Sequence, residues 1–140
     1  MHAEEQIHKT CETLQDAGIK VSLFIDANIH QIEAAARVRA DMIEIHTGHY
    51  ANAVSSNDEL SKIIKASNKA HELGLQVNAG HGLNTDNVSA IAEIEHMVEL
   101  NIGFSIISRA VFIGLDKAVM EMKQRMIDAR QSSSQGNNES

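Results

Sequence analysis

Proline and tryptophan are missing from this chain of 140 residues, and cysteine and tyrosine occur once each. Each scarcity excludes something. Aromatic residues make up only 3% of the chain, the formal net charge is -7, and no basic cluster occurs. A nucleic-acid partner would need a basic face and rings to stack on bases, so that class is set aside. No apolar run approaches the ~20 residues of a membrane-spanning helix, and the polar start does not read as a secretion signal. The expected location is the cytoplasm. Cys11 has no second cysteine to pair with, and its spacing from Ile7, Leu14 and Ala17 puts it on the apolar side of a helix, where it packs. Nothing in the sequence accounts for the absence of proline, against a usual ~5%.

What is present is a soluble globular composition, 43% hydrophobic and 22% charged, enough for one domain with an ordinary core. That domain is expected to run to about residue 130, and the polar, aperiodic tail Gln131–Ser140 to be disordered. A helical spacing over residues 3–17 ends at Gly18. Strands are expected at Val21–Asp26, Met42–His46, Leu75–Ala79 and Met97–Ile102. Between them lie a helix capped by Asn28 and reaching Ala40, a loop from Thr47 to Ser55, and a helix opened by Ser56 with Glu59 as a capping box. A short helix carries Val88, Ile91 and Ile94; after Gly103 come another to about Phe112 and a last one over Leu115–Arg130. The chain repeats itself: Ala17-Gly18-Ile19-Lys20-Val21 is echoed by Leu73-Gly74-Leu75-Gln76-Val77. Alternating strands and helices imply an α/β protein with a parallel sheet. Four units cannot close a barrel, so the sheet is open or is half of something larger.

The candidate chemistry gathers at strand ends. His81 sits between Gly80 and Gly82 just after a strand, on an open turn where α/β proteins do their work, although a turn histidine can also serve only a local hydrogen bond. Strand alternation puts Glu44 and His46 on one face, and Ser22, Asp26, Asn78, Glu99 and Asn101 are assigned to that face as well. Polar groups from all four strands imply a hydrated or ligand-filled interior, because a doubly covered parallel sheet is apolar on both sides. Glu44 and His81 form an acid–base pair on this reading; an ion pair between Glu44 and a lysine is the structural alternative. Gly103, Phe104 and Ser105 open a short helix whose free amides suit a phosphate, with Arg109 either supporting it or facing solvent. His46, His49 and His81 could also converge on zinc. The other histidines fall on helices or near their ends and call for no function.

Four segments in order, Val21-Ser22-Leu23-Phe24-Ile25-Asp26-Ala27, Glu44-Ile45-His46-Thr47-Gly48, Asn78-Ala79-Gly80-His81-Gly82-Leu83 and Glu99-Leu100-Asn101-Ile102-Gly103, closely resemble the second half of the pyridoxine 5'-phosphate synthase family. The resemblance covers about residues 5–130. It implies strands five to eight of a (β/α)8 TIM barrel and the condensation of 1-deoxy-D-xylulose 5-phosphate with 3-amino-2-oxopropyl phosphate, without metal or organic cofactor. It further implies His81 as proton donor, Glu44 as the carboxylate that stabilises the transition state, and Gly82, Gly103 and Phe104 as the phosphate cradle. Two departures stand out. Phe104 replaces the family's common histidine, and the first four strands, with their acid–base groups and arginine-bearing segments, are absent. The chain is therefore expected to be inactive alone and to seek partners through the strand edges near Val21 and Met97, as a homo-oligomer or with an amino-terminal half-barrel. A non-catalytic phosphate-binding half-barrel is the competing reading.

Overall fold

A computed structural model describes residues 2–53 and 56–136. Helix α1 (His2–Asp16) leads into strand β1 (Ser22–Ile25), helix α2 (Ile29–Arg37), strand β2 (Met42–His46) and the short helix α3 (Gly48–Asn52). Then follow α4 (Ser56–Glu72), β3 (Gln76–Gly80), α5 (Val88–Ala92), β4 (Met97–Asn101), α6 (Phe104–Ile113) and α7 (Leu115–Gly136). The four strands are parallel and lie in chain order, β1-β2-β3-β4. That is the order of consecutive barrel staves, and it lacks the reversal of a doubly wound sheet.

Alternation divides the sheet into two unlike faces. Ile43, Ile45, Val77 and Ala79 are fully buried and pack with Ile32 and Ala35 of α2 and Ile63, Ala66 and Ala70 of α4. The small alanines on both helices let them lie close to the strands. The opposite face carries Phe24, Glu44 and His46, and among the described residues no helix covers it. Cys11 is buried, as its helical spacing requires, and burial pushes its thiol up from the ordinary range.

A bulge decides which side of β4 looks where. Val77 pairs with Met97 but Asn78 pairs with Glu99, so Val98 is an extra residue and stands exposed. Counting alternately from buried Met97 would send Glu99 and Asn101 toward the helices. The inserted residue reverses that parity, and both face the open side.

Local signals hold well. Asn28 Oδ1 accepts the His30 and Gln31 amides at 2.9 and 3.4 Å, and Gly18 and Gly74 take the left-handed φ values, 76° and 79°, that end a helix. Two elements differ from expectation. The loop after His46 contains α3, begun at a residue that looks like a loop glycine. In the segment expected to be disordered, α7 continues through Gly136, with the Ser132 hydroxyl donating to the Asp128 carbonyl at 2.9 Å. Extending an existing helix costs far less than starting one, so polar residues can follow it. Ser56, expected as the cap, is the first residue of α4 itself, and Asn137–Ser140 lie outside the described residues.

Asp41 ties the start of the sheet together. Its Oδ2 accepts the Val21 amide at 2.7 Å and the Gln15 side chain at 3.0 Å, joining the end of α1 to the entries of β1 and β2. The Gln15 hydrogen bond, then the Val21 amide, hold this carboxyl below its ordinary range. Because the folded value is the lower one, Asp41 stabilises the fold above the ordinary carboxylate range, and that contribution is lost as pH falls through the folded value. Asp41→Asn should lower the melting temperature at neutral pH and flatten its decline into acid; equal melting curves for both proteins from neutral to acid pH would contradict this.

Candidate active site

The carboxyl ends of β2, β3 and β4, with the start of α6, enclose a cavity of about 790 Å³. Glu44, His81, Gly82, Gly103 and Phe104 all line it, as do Phe24, Asn101 and Ser105. Glu44 reaches it from the middle of β2. Its Oε2 accepts a hydrogen bond of 2.8 Å from Asn101 Nδ2, so its described partner is an amide from β4 and not a lysine. The bond spans β3 because Gly80 has no side chain: a Cβ there would lie 2.4 Å from Glu44 Oε1 and 2.8 Å from the Asn101 carbonyl oxygen.

His81 stands at the head of a left-handed turn, with φ of 82° at His81 itself and 81° at Gly82. That conformation costs a residue with a β-carbon about 1–2 kcal/mol, so its surroundings must hold it. The buried Thr47 hydroxyl lies 2.7 Å from both the Gly80 and His81 carbonyl oxygens, and the Thr47 amide donates to the Gly80 carbonyl at 2.8 Å. Further along, Asn87 Nδ2 donates to the Gly82 carbonyl at 3.2 Å while its Oδ1 accepts the Asn84 amide at 2.8 Å. Asn87 therefore commits its side chain to the loop and not to capping α5. The Tyr50 hydroxyl donates to the Asn87 carbonyl at 2.8 Å; burial, then the nearby Glu93 charge, push that phenol up and keep it a donor.

Helix α6 meets this loop through Ser105, whose hydroxyl donates to the Leu83 carbonyl at 2.7 Å. The Ile107 amide bonds to the Gly103 carbonyl at 3.0 Å, so the amides before it have no acceptor one turn back and form the positive end of the helix. Phe104 is 88% exposed. Arg109 does not turn to this end: its Nε lies 3.0 Å from Glu121 Oε2 on α7.

The remaining sequence candidates separate. Asn78 is buried on the polar face, accepting from Gln76 at 3.0 Å and pointing its amide at the Met42 sulfur. The three imidazoles proposed for zinc do not form one ligand set. The rings of His46 and His81 are 4.8 Å apart, yet the third residue whose ligand atom joins those of His46 and His49 is Asp26. Sequence reasoning missed Thr47, which looked like a plain loop residue, and Phe24, whose ring stands perpendicular to that of His46 with centroids 5.2 Å apart. Alternation from Ser22 was the available signal for Phe24.

Residues 1–128 match the family model described as pyridoxal phosphate biosynthesis protein PdxJ. Proteins named pyridoxine 5'-phosphate synthase from Photobacterium profundum and Colwellia psychrerythraea are each 54% identical over 129 residues, covering 90% of this chain and 53% and 52% of those proteins. The chain thus spans about half the length of the curated relatives it matches. A structure of the Amycolatopsis orientalis BexX/CysO complex superposes with a TM-score of 0.65 at 12% identity, over 95% of this chain and 52% of that one, a likeness of fold alone. From the match over residues 1–128 and the relatives at 54% identity it follows that this chain belongs to the PdxJ family of pyridoxal phosphate biosynthesis proteins.

Proposed function

We propose that the chain acts as the carboxyl-terminal half of a pyridoxine 5'-phosphate synthase, supplying strands five to eight of the barrel and part of its active site. The observation that carries this reading is the single cavity shared by Glu44, His81 and the amide end of α6 at the carboxyl ends of parallel strands. Joining 1-deoxy-D-xylulose 5-phosphate to 3-amino-2-oxopropyl phosphate and closing the pyridine ring requires repeated proton transfers and dehydrations. His81 is the proton donor, held at the cavity by its turn. Glu44, oriented by Asn101, stabilises the transition state. The amino-ketone phosphate rests on the backbone at Gly82, Gly103 and Phe104, where only N–H groups are required, so the phenylalanine ring does not disturb the cradle.

Two features support the need for a complement. Among the described residues lining the cavity there is no lysine or arginine, leaving two anionic substrates with only helix-end amides for their charge. Among the described residues no further strand pairs with the outer edges of β1 and β4, the Arg130 guanidinium meets the Glu95 and Met97 carbonyls at the latter, and Phe24, Val98, Phe104 and Phe112 are exposed nearby or on α6. The reaction belongs to the cytoplasm, and among the described residues no helix is long and apolar enough to cross a membrane.

The test is a complementation assay with the amino-terminal half of the Photobacterium profundum synthase. Neither half should turn over both substrates alone, and the mixture should. In the mixture, His81→Ala and Glu44→Gln should each lower kcat by about 10²–10⁴-fold. Turnover by this chain alone would overturn the half-enzyme reading, and full activity of both variants would overturn the site. Phosphate binding untouched by His81→Ala, with no turnover by the mixture, would favour a non-catalytic phosphate-binding module instead.

Gly80→Ala should abolish complemented turnover, because the added methyl meets the Glu44 carboxylate and, at 2.8 Å, the Asn101 backbone carbonyl, so the carboxylate and the end of β4 must both shift. Retained turnover would break the proposed link between that glycine and the carboxylate.

Left alone, the chain should sediment at micromolar concentration as a species heavier than its 15.3 kDa and shift to a defined pair with the amino-terminal half. A monomer with a cooperative thermal transition would contradict the role given to the edges.

A further inference from the structure

Beside the cavity just described, a second group of side chains has ligand geometry. Strands β1 and β2 run in register with Ile25 opposite Ile45, so the residues that follow, Asp26 and His46, emerge side by side. Helix α3 starts two residues later and brings His49 back over the same strand ends, with its ring edge-on to His46 at 5.8 Å. One ligand atom from each of Asp26, His46 and His49 lies within 4.8 Å of the others.

The closest pair is informative. His46 Nδ1 and Asp26 Oδ1 are 3.6 Å apart, longer than a hydrogen bond and near the ~3.3 Å that separates two ligands of one tetrahedral ion at 2.0–2.1 Å bond lengths. Asp26 is also oriented from outside the cluster. Its amide donates to Gln31 Oε1 at 2.9 Å and its Oδ2 lies 3.4 Å from Gln31 Nε2, which leaves Oδ1 directed at the histidine. The His46 ring is fixed between the perpendicular Phe24 ring and Gly48, where a Cβ would come within 2.7 Å of Nε2. These residues line a cavity of about 340 Å³ of their own, with Asn28, Tyr50 and Glu59, open to solvent on the Asp26 and His49 side.

We propose that Asp26, His46 and His49 form a site for a divalent transition-metal ion of the zinc and cobalt class, bound through two imidazoles and one carboxylate with a remaining position open to water. The site is independent of the synthase reading. It adjoins that cavity through His46, whose ring is 4.8 Å from that of His81, so the metal fixes the nearer imidazole without recruiting the farther one.

The experiment is calorimetric titration of the intact chain with zinc chloride, together with cobalt titration followed by visible absorption. A single zinc ion should bind per chain, and cobalt should develop the intense visible bands of a four-coordinate site. Asp26→Asn and His49→Ala, both at exposed positions, should each weaken zinc binding by a factor on the order of ten to a hundred or more with circular dichroism unchanged. The stacked pair His71 and His96, 3.8 Å apart, is the competing place for a metal, so His96→Ala should leave zinc binding intact. Absence of saturable binding would reduce the cluster to an ion pair between Asp26 and His46 and overturn the proposal. Binding that survives both Asp26→Asn and His49→Ala, or that disappears in His96→Ala, would overturn it equally.

Discussion

The hydroxyl of Thr47, wholly buried at the end of β2, shares its one proton between the two carbonyls at the turn of His81, and the candidate site depends on that contact. A histidine in left-handed backbone costs about 1–2 kcal/mol. One hydrogen bond returns a net ~0.5–1.5 kcal/mol, so the hydroxyl and amide of Thr47 together are enough to offset the cost. The consequence is positional. Without the left-handed turn the imidazole would continue the alternation of β3; with it, the ring stands at the cavity beside Gly82.

The same economy of space runs across the sheet. Glu44 and Asn101 come from strands separated by β3, and they meet only because the intervening residue is Gly80. At Gly48 a missing side chain again leaves room, there for the rings of His46 and His81. Polar chemistry on this face is thus assembled over the backbone of glycines, while the other face is an apolar layer of isoleucine, valine and alanine against helices. A sheet with one dry and one polar face, strands in consecutive order and, among the described residues, no further strand on either edge has the form of half a barrel, in keeping with a chain that covers about half of its relatives.

Much of this was legible beforehand because it is local. The β2 limits, the Asn28 cap and the helix-ending glycines follow from patterns a few residues long, and all four strands appear within a residue or two of their expected limits. The grouping of Glu44, His81, Gly82, Gly103 and Phe104 was legible as well, since residues at the carboxyl ends of neighbouring parallel strands have little choice but to meet. Helix α3 was not, because Gly48 and the polar residues around it carry no helical periodicity. The length of α7 escaped for a related reason: its final residues are helical by continuation from those before them.

By itself the sequence determined the alternation of strands and helices, the apolar face of the sheet and the residue types offered at the strand ends, because periodicity and glycine placement act over short distances. Only the tertiary structure decided the partners. Glu44 drew the Asn101 amide and not a lysine, in a register that the extra residue Val98 permits, Arg109 went to Glu121 instead of the helix start, and Asp26 rather than His81 stands with His46 and His49. Each outcome depends on register between elements distant in the chain, and a single inserted residue changes which side chains face one another without altering any local pattern.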